Sequence, residues 1–278
     1  MHSDATHDAK NMRWSVVVPY YNERDYLPAM LASLIAQQFS PFRLILVDNA
    51  STDGSADLAR DILRDTAGIT AVYLHEPRPG KINALDCGLA QVDTEFVAFC
   101  DADTFYPSHY LARCDEIFAA SKSDVVAVMA GNLSGPPITG APRRRQIKTM
   151  IVSKILSRQA HTGGFGQTFR TAALRSAGGY ASALWPFVLE DHEVMQRVFK
   201  HGRARFDFDL WCTPSNRRAD RSKVDWTLAE RLLYHATPFA LKDWFFYSFL
   251  ARRFSARGLG QANLREKTWA PEEIEVRS

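Results

Sequence analysis

The sequence predicts an α/β fold in which a mostly parallel sheet is covered by helices on both faces. Three observations point there. Short apolar runs rich in β-branched residues stop at a polar residue, helical periodicity fills the gaps between them, and this pair of signals repeats from residue 14 to residue 100. Parallel strands need long crossovers, and a strand buried on both faces reads as an unbroken apolar run.

The first run, Ser15 to Val18, ends at Pro19, and the second, Arg43 to Val47, ends at Asp48. Between them Tyr26, Leu27, Met30, Leu31, Leu34 and Ile35 recur at three- and four-residue intervals, which predicts an amphipathic helix. A Ser-Thr-Asp-Gly turn then opens a helix over 55–65, followed by extended Thr70 to Leu74, a helix over 81–90 and an extended run, Glu95 to Cys100. Beyond Ser121 the alternation loosens. Asp124 to Ala130 reads as a strand, 142–158 as a helix, and Glu190 to His201 as a helix ended by Gly202. Thr237 and Pro238 read as the cap and first residue of one last helix, 238–257, closed by Gly258.

In folds of this kind ligands bind at the carboxyl ends of the strands, which places 20–23, 48–53 and 101–103 on one edge. No G-x-G-x-x-G follows the first strand, so a dinucleotide-binding dehydrogenase is disfavoured. The most informative segment is Phe-Cys-Asp-Ala-Asp-Thr (99–104). In an extended segment, side chains at i and i+2 point the same way, so Asp101 and Asp103 can converge on one divalent cation or one sugar-nucleotide. Carboxylate oxygens of this kind suit Mg²⁺ or Mn²⁺.

Composition narrows the function classes. The 278 residues are 46% hydrophobic and 23% charged, ordinary for a folded globular chain. A net charge of +3 is too small to imply a nucleic-acid partner. Cysteines 87, 100, 114 and 212 form no C-x-x-C pair, which favours reduced thiols and a cytoplasmic location. Residues 1–12 lack the apolar core of a secretory signal and read as a flexible tail. No stretch approaches the roughly 20 apolar residues that span a bilayer. Positive charge is concentrated at 142–158, which holds six Lys or Arg and no acid.

Six segments, in order and at consistent spacings, carry a resemblance: Val-Val-Val-Pro-Tyr-Tyr-Asn-Glu (16–23), Val-Asp-Asn-Ala-Ser-Thr-Asp-Gly-Ser (47–55), Gly-Lys-Ile-Asn-Ala-Leu (80–85), Phe-Cys-Asp-Ala-Asp (99–103), Gly-Gly-Phe-Gly (163–166) and Leu-Glu-Asp-His-Glu (189–193). Together they resemble family 2 glycosyltransferases of the GT-A fold, over roughly residues 14–210. The resemblance implies a Rossmann-like, mixed but mostly parallel sheet in a catalytic domain over 13–215, with a nucleotide-binding half (13–110) and an acceptor half (111–215). A helical C-terminal region, 216–278, follows.

It also implies roles. Pro19, Tyr21, Glu23 and Asp48 match the positions that hold base and ribose, with Asn49 standing where many relatives carry a second acid. Tyr21 either stacks on a base or packs as a rim aromatic. Lys81 resembles the basic residue near the diphosphate. Asp101, Ala102 and Asp103 match the Asp-x-Asp motif, with Asp103 the direct ligand of Mn²⁺ or Mg²⁺ and Asp101 a ribose or metal partner. Asp191 matches the catalytic base and Glu190 the residue that places the acceptor, although acids in a first helical turn are also common as caps. Gly163, Gly164 and Gly166 match an acceptor loop. Trp185 reads as a sugar platform or as core, and His192 as an acceptor contact, a metal ligand or packing, with His161 equally open. The implied reaction is inverting transfer of one sugar from a nucleotide-sugar, with a UDP-sugar as donor. No Gln-x-x-Arg-Trp follows, which favours single transfer over polymer synthesis.

The 238–257 segment is apolar on several sides, so protein body, a second subunit or lipid must cover it. With Arg217, Arg218, Arg221, Lys223, Arg252, Arg253 and Arg257 nearby, the expectation is attachment to an anionic membrane at the inner face of the cytoplasmic membrane, a lipid or lipid-linked acceptor, and a homo-oligomer as the other way to cover the helix. Two alternatives stand beside this reading: a haloacid-dehalogenase-like phosphohydrolase with Asp101 as nucleophile and Asp103 as acid, and a sugar-nucleotide binding module without catalysis.

Overall fold

The strands expected from the apolar runs all form. The computed structural model describes residues 12–133, 147, 151, 160–215 and 226–261. Strands β1 (Trp14–Tyr20), β2 (Phe42–Asp48), β3 (Ile69–His75) and β4 (Phe96–Phe99) alternate with helices α1 (Leu27–Ile35), α2 (Ser55–Leu63) and α3 (Lys81–Ala90). There follow β5 (Thr104–Phe105), α4 (Tyr110–Ala119), β6 (Val125–Asn132), β7 (Gln167–Arg170), α5 (Thr171–Ser176), α6 (Glu190–Val198), β8 (Arg203–Pro214), α7 (Leu228–Ala236), a π-helical segment (Trp244–Leu250) and α8 (Ala251–Ala256).

The strand order is β3-β2-β1-β4-β7-β6-β8-β5. The β3-β2-β1-β4 half is parallel; β7 then runs antiparallel to both β4 and β6, and β5 antiparallel to β8. Pure parallel alternation therefore stops where the sequence periodicity loosens. Register fixes the site: Tyr20 pairs with Asp48 and Asp48 with His75, so the first three strands end level and release their loops at one edge.

β1 is buried along its whole length because both faces are covered. Val16 and Val18 point into the layer with Leu31 and Leu111, whereas Val17, Ile45 and Phe99 point into the layer with Leu85, Phe245 and Phe254. Helix α3 lies close on β1 because Gly88 has no side chain; a Cβ there would come within 2.4 Å of Val17 Cγ1. That approach sets the height of the α3 N-terminus, where Lys81 begins the helix.

Three expectations are corrected. The 101–103 segment is not extended: the Thr104 N–H donates to Asp101 O at 3.2 Å, closing a turn. The 238–257 segment is not one helix. Thr237 ends α7 instead of starting a helix, its hydroxyl donating to Leu233 O at 2.6 Å, and a 3-10 turn, the π-helical segment and α8 follow. α7 itself was not expected, although Thr227 and Glu230 form a capping box at its start. The protein body covers most of the aromatic segment, burying Phe245, Phe246, Leu250 and Phe254 and leaving Trp244 half exposed. The basic 142–158 helix and Arg217, Arg218, Arg221 and Lys223 lie outside the described residues, apart from 147 and 151.

Candidate active site

The loops after β1 and β2 are tied to each other before any ligand is considered. Asn22 Oδ1 accepts from the Thr52 N–H at 2.8 Å, and Ser55 Oγ accepts from the Glu23 N–H at 2.9 Å. Among the described residues three non-glycines have positive φ: Asn22 (52°), Ala50 (61°) and Leu189 (63°). Two lie in these loops and the third immediately precedes Glu190. Strain of this kind costs on the order of 1–3 kcal/mol and gathers at functional sites.

Asp48 is buried, with Oδ1 accepting from the Ser51 N–H at 2.9 Å and Oδ2 3.1 Å from His75 Nδ1. Asn49 has another task. Its amide donates to Glu76 O and Arg78 O, both at 2.8 Å, and its oxygen accepts from the Gly80 N–H at 3.1 Å. It therefore shapes the loop that delivers Lys81. Pro19 is buried within β1, opposite Val47. Tyr21 is half-buried and Glu23 buried.

Lys81 joins the two ends of the site. Its Nζ lies 2.5 Å from Asp101 Oδ1 and 3.8 Å from Glu190 Oε1. A cation at a helix N-terminus opposes the macrodipole, so these two carboxylates are what hold it there. Burial alone would lower the Lys81 pKa, but Asp101 and Glu190 outweigh it and keep the ammonium charged. Asp103 has a different partner, its Oδ2 accepting from Ser215 Oγ at 3.0 Å beside a cavity of about 350 Å³ lined by Tyr26, Met30, Phe105 and Ser215. Ala102 is buried between the two acids.

Glu190 and Asp191 open α6, which is anchored by a buried ion pair. Arg197 Nε lies 2.7 Å from Glu193 Oε1, and Arg197 Nη2 donates to Gly179 O at 2.7 Å. The two neighbouring carboxyls are driven apart. Burial, with the Asp191 charge adding, raises Glu190 against the pull of Lys81. Burial would raise Asp191 too, but His192, His161 and Lys81 overcome it and hold it ionised, below the usual carboxylate range. Asp191 Oδ1 accepts from the His192 N–H and lies 2.9 Å from His192 Nδ1. The glycine loop makes room here. A Cβ on Gly164 would sit 3.3 Å from Lys81 Nζ, and one on Gly163 would sit 3.6 Å from Asp191 Oδ2.

Trp185 is corrected as an acceptor platform. It is 1% exposed, packed edge-on against Phe187 and Phe246, with its indole N–H donating to Val188 O at 2.9 Å. His192 stays in the cluster, with its ring against His161 and Trp226.

Two residues that sequence reasoning missed hold this arrangement. Tyr106, fully buried, accepts from the Asp101 N–H at 2.8 Å and donates to Phe165 O at 2.9 Å, clamping the acidic turn to the glycine loop. Gln261 accepts from the Ile82 N–H at 2.8 Å and donates to Glu190 Oε2 at 2.9 Å, so the chain's last described residue closes the site. Tyr106 looks like any core aromatic in sequence, although a buried phenol needs a partner for its hydroxyl. Nothing around Gln261 marks it.

Known proteins resemble this chain in sequence and in fold. The model of glycosyl transferase family 2 matches residues 15–177. The undecaprenyl-phosphate 4-deoxy-4-formamido-L-arabinose transferase of Serratia proteamaculans is 33% identical over 121 residues, 42% of this chain and 37% of that protein. Among solved structures, the Pyrobaculum calidifontis mannosyltransferase PcManGT, in complex with GDP-Man and Mn²⁺, superposes with a TM-score of 0.66 at 20% identity, covering 92% of this chain and 76% of that one. TarS of Staphylococcus aureus, in complex with UDP-GlcNAc, gives 0.58 at 22% identity, covering 88% and 73%. The aligned segment spans about a third of the length of the curated relatives. At this identity the solved structures establish the fold, which is GT-A. The match from 15 to 177 also accounts for the 16–23 and 47–55 loops, which a haloacid-dehalogenase reading leaves without a role, and that alternative is overturned. The chain belongs to glycosyl transferase family 2.

Proposed function

We propose that the chain is an inverting glycosyltransferase that moves one sugar from a nucleotide-sugar, with a UDP-sugar as donor, to a hydroxyl of a lipid-linked acceptor. The observation that carries this reading is Lys81, whose ammonium bridges Asp101 at the nucleotide end and Glu190 at the acceptor end. One cleft can therefore hold a diphosphate and an attacking alcohol together.

Tyr21, Glu23 and Asp48 hold base and ribose, and Lys81 faces the diphosphate as a point charge. The acids of the 101–104 turn offer only oxygen donors and stay partly exposed, which fits a hard cation, Mn²⁺ or Mg²⁺; Asp103 would be its main ligand, because it accepts from the neutral Ser215 hydroxyl whereas Asp101 meets the Lys81 ammonium. When bound, that ion neutralises the departing nucleoside diphosphate. Asp191, ionised and lying against Gly163, takes the proton of the acceptor hydroxyl. The acceptor oxygen bonds to the anomeric carbon as that carbon's bond to the phosphate oxygen breaks. The electron pair leaves on the phosphate and the configuration inverts. Glu190, held by Gln261 and Lys81, places the acceptor.

The acceptor class is supported by the relative that acts on undecaprenyl phosphate and by an exposed apolar strip. Leu228 (73% exposed), Leu232, Leu241 and Trp244 lie on and after α7, with Arg231 and His235 also exposed. None of the described helices is long and apolar enough to cross a membrane. The inner side of α7 packs Tyr234 against His192, so a bilayer touching the outer side would bring a lipid-linked hydroxyl toward Asp191. These features support a location at the inner face of the cytoplasmic membrane.

A thermal-shift panel of nucleoside diphosphates with and without Mn²⁺ tests the donor side. A rise in Tm with UDP that requires Mn²⁺ is expected, and no shift with any nucleotide contradicts the proposal. Co-sedimentation with vesicles containing anionic lipid tests the acceptor side. Protein that stays wholly in the supernatant at low salt rejects it.

A further inference from the structure

The histidines beside Asp191 form a second cluster whose chemistry differs from that of the acidic turn. We propose that His161, Asp191 and His192 bind a borderline-soft divalent cation of the Zn²⁺ or Co²⁺ class, separate from the cation held at 101 and 103. Occupancy withdraws Asp191 from proton transfer. Binding rests on the geometry alone; the loss of turnover rests on Asp191 being the base proposed above.

One ligand atom from each of the three residues lies within 4.8 Å of the other two. The imidazoles of His161 and His192 meet edge to face, with centroids 4.1 Å apart and planes at 87°. His161 is set up as a ligand by its neighbour. Its Nδ1 lies 2.9 Å from Thr162 O, an atom that can only accept, so Nδ1 carries the proton and Nε2 keeps its lone pair. A backbone carbonyl holding the far nitrogen of an imidazole is how metal-ligating histidines are commonly oriented.

Asp191 Oδ1 and His192 Nδ1, 2.9 Å apart, now share a proton that a cation would replace. Trp226 and Tyr234 pack against the His192 ring and limit its movement. The nearby Lys81 ammonium is matched by Asp101 and Glu190, so it does not oppose a cation on the other side of Asp191. Two imidazoles and one carboxylate favour Zn²⁺, Co²⁺ or Ni²⁺, whereas the oxygen-only turn favours Mg²⁺ or Mn²⁺. The protein therefore presents a hard site and a softer site, and the softer one includes the proposed base.

The full chain, stripped with EDTA and without donor, is titrated with Co²⁺ and then Zn²⁺. One equivalent of Co²⁺ is expected to give a visible d–d band that Zn²⁺ removes. Calorimetry is expected to show Zn²⁺ affinity lowered by more than about 10-fold in His161→Gln and unchanged in Asp103→Asn. Zinc K-edge absorption of the wild-type 1:1 complex counts imidazoles without relying on any variant, and two are expected. Absence of the band, zero imidazoles, or equal Zn²⁺ affinity in His161→Gln overturns the site. In transfer assays at saturating Mn²⁺, each protein is compared with its own uninhibited rate. Zn²⁺ is expected to inhibit wild type, with an inhibition constant more than about 10-fold higher in His161→Gln. Binding without inhibition overturns the withdrawal of Asp191. Absence of transfer with every donor refutes the transferase reading, while the cobalt band still decides the site.

Discussion

Replacing Gln261 by leucine, of nearly the same volume, removes two hydrogen bonds that cross from the C-terminal segment into the site. The Ile82 N–H belongs to the first turn of α3, where no intrahelical acceptor exists, and Ile82 is only 3% exposed. Leaving that donor unpaired costs about 1–3 kcal/mol. The bond to Glu190 has a charged acceptor and is worth about 1.5–3 kcal/mol, less what water recovers at a side chain that is 15% exposed. The expected total is about 2–4 kcal/mol, read as a lower urea midpoint at unchanged slope. The sign of the pH effect follows from Glu190. Its pKa is already raised, so its ionised form costs stability near neutral pH, and Gln261 is one of the donors that reduce that cost. The loss in Gln261→Leu is therefore largest near neutral pH and shrinks as the pH falls through the Glu190 pKa. The acid limb of the transfer rate moves to higher pH. Gln261→Asn, one methylene shorter, cannot bridge both partners and is expected to behave like the leucine variant. An unchanged urea midpoint together with an unchanged pH profile would refute the role given to Gln261.

Other perturbations separate the donor end, the acceptor loop and the frame. Lys81→Met leaves Asp101 and Glu190 without their shared cation; calorimetry is expected to show nucleoside diphosphate affinity reduced by at least about 10-fold, because a charge-assisted contact to phosphate is lost. Gly164→Ala is compatible with the backbone but pushes on Lys81 Nζ; a stability loss near 1 kcal/mol should accompany a much larger loss in kcat, and equal losses would argue that the loop is only a frame. Gly88→Ala forces a Cβ onto Val17 in the middle of β1; the expected cost is about 2–3 kcal/mol by urea denaturation, and a neutral result would mean that α3 does not set its height on that residue.

The parallel half was legible because burial on both faces writes a strand as an apolar run. The structure begins α3 at Lys81 and ends it at Ala90, as its periodicity predicts, and β1 to β4 fall within a few residues of expectation. The candidate acids stood out only through the ordered set of six segments, because a lone Asp-x-Asp after an apolar strand is common in loops; the structure brings Asp101 and Glu190 together at Lys81. Their geometry was not legible: the i, i+2 rule assumes an extended chain, and the turn at 101–104 gives Asp101 to Lys81 and Asp103 to Ser215. Near the end of the chain the usual polarity is inverted. Leu228 and Leu232 are exposed on α7 while Glu230 is buried against Arg253 and Arg257, so periodicity pointed elsewhere. Helix α6 likewise buries Glu193, Gln196 and Arg197, a paired polar core that no hydrophobic pattern reveals. Gln261 works through two hydrogen bonds set by tertiary contact alone.

Asp191→Asn tests the central claim most directly, because an amide keeps the shape of the side chain and cannot accept a proton. Donor binding measured by calorimetry with Mn²⁺ should stay within a few-fold of wild type, while transfer to acceptor falls by at least about 100-fold. Transfer at the wild-type rate in Asp191→Asn would contradict the role of Asp191 as the base.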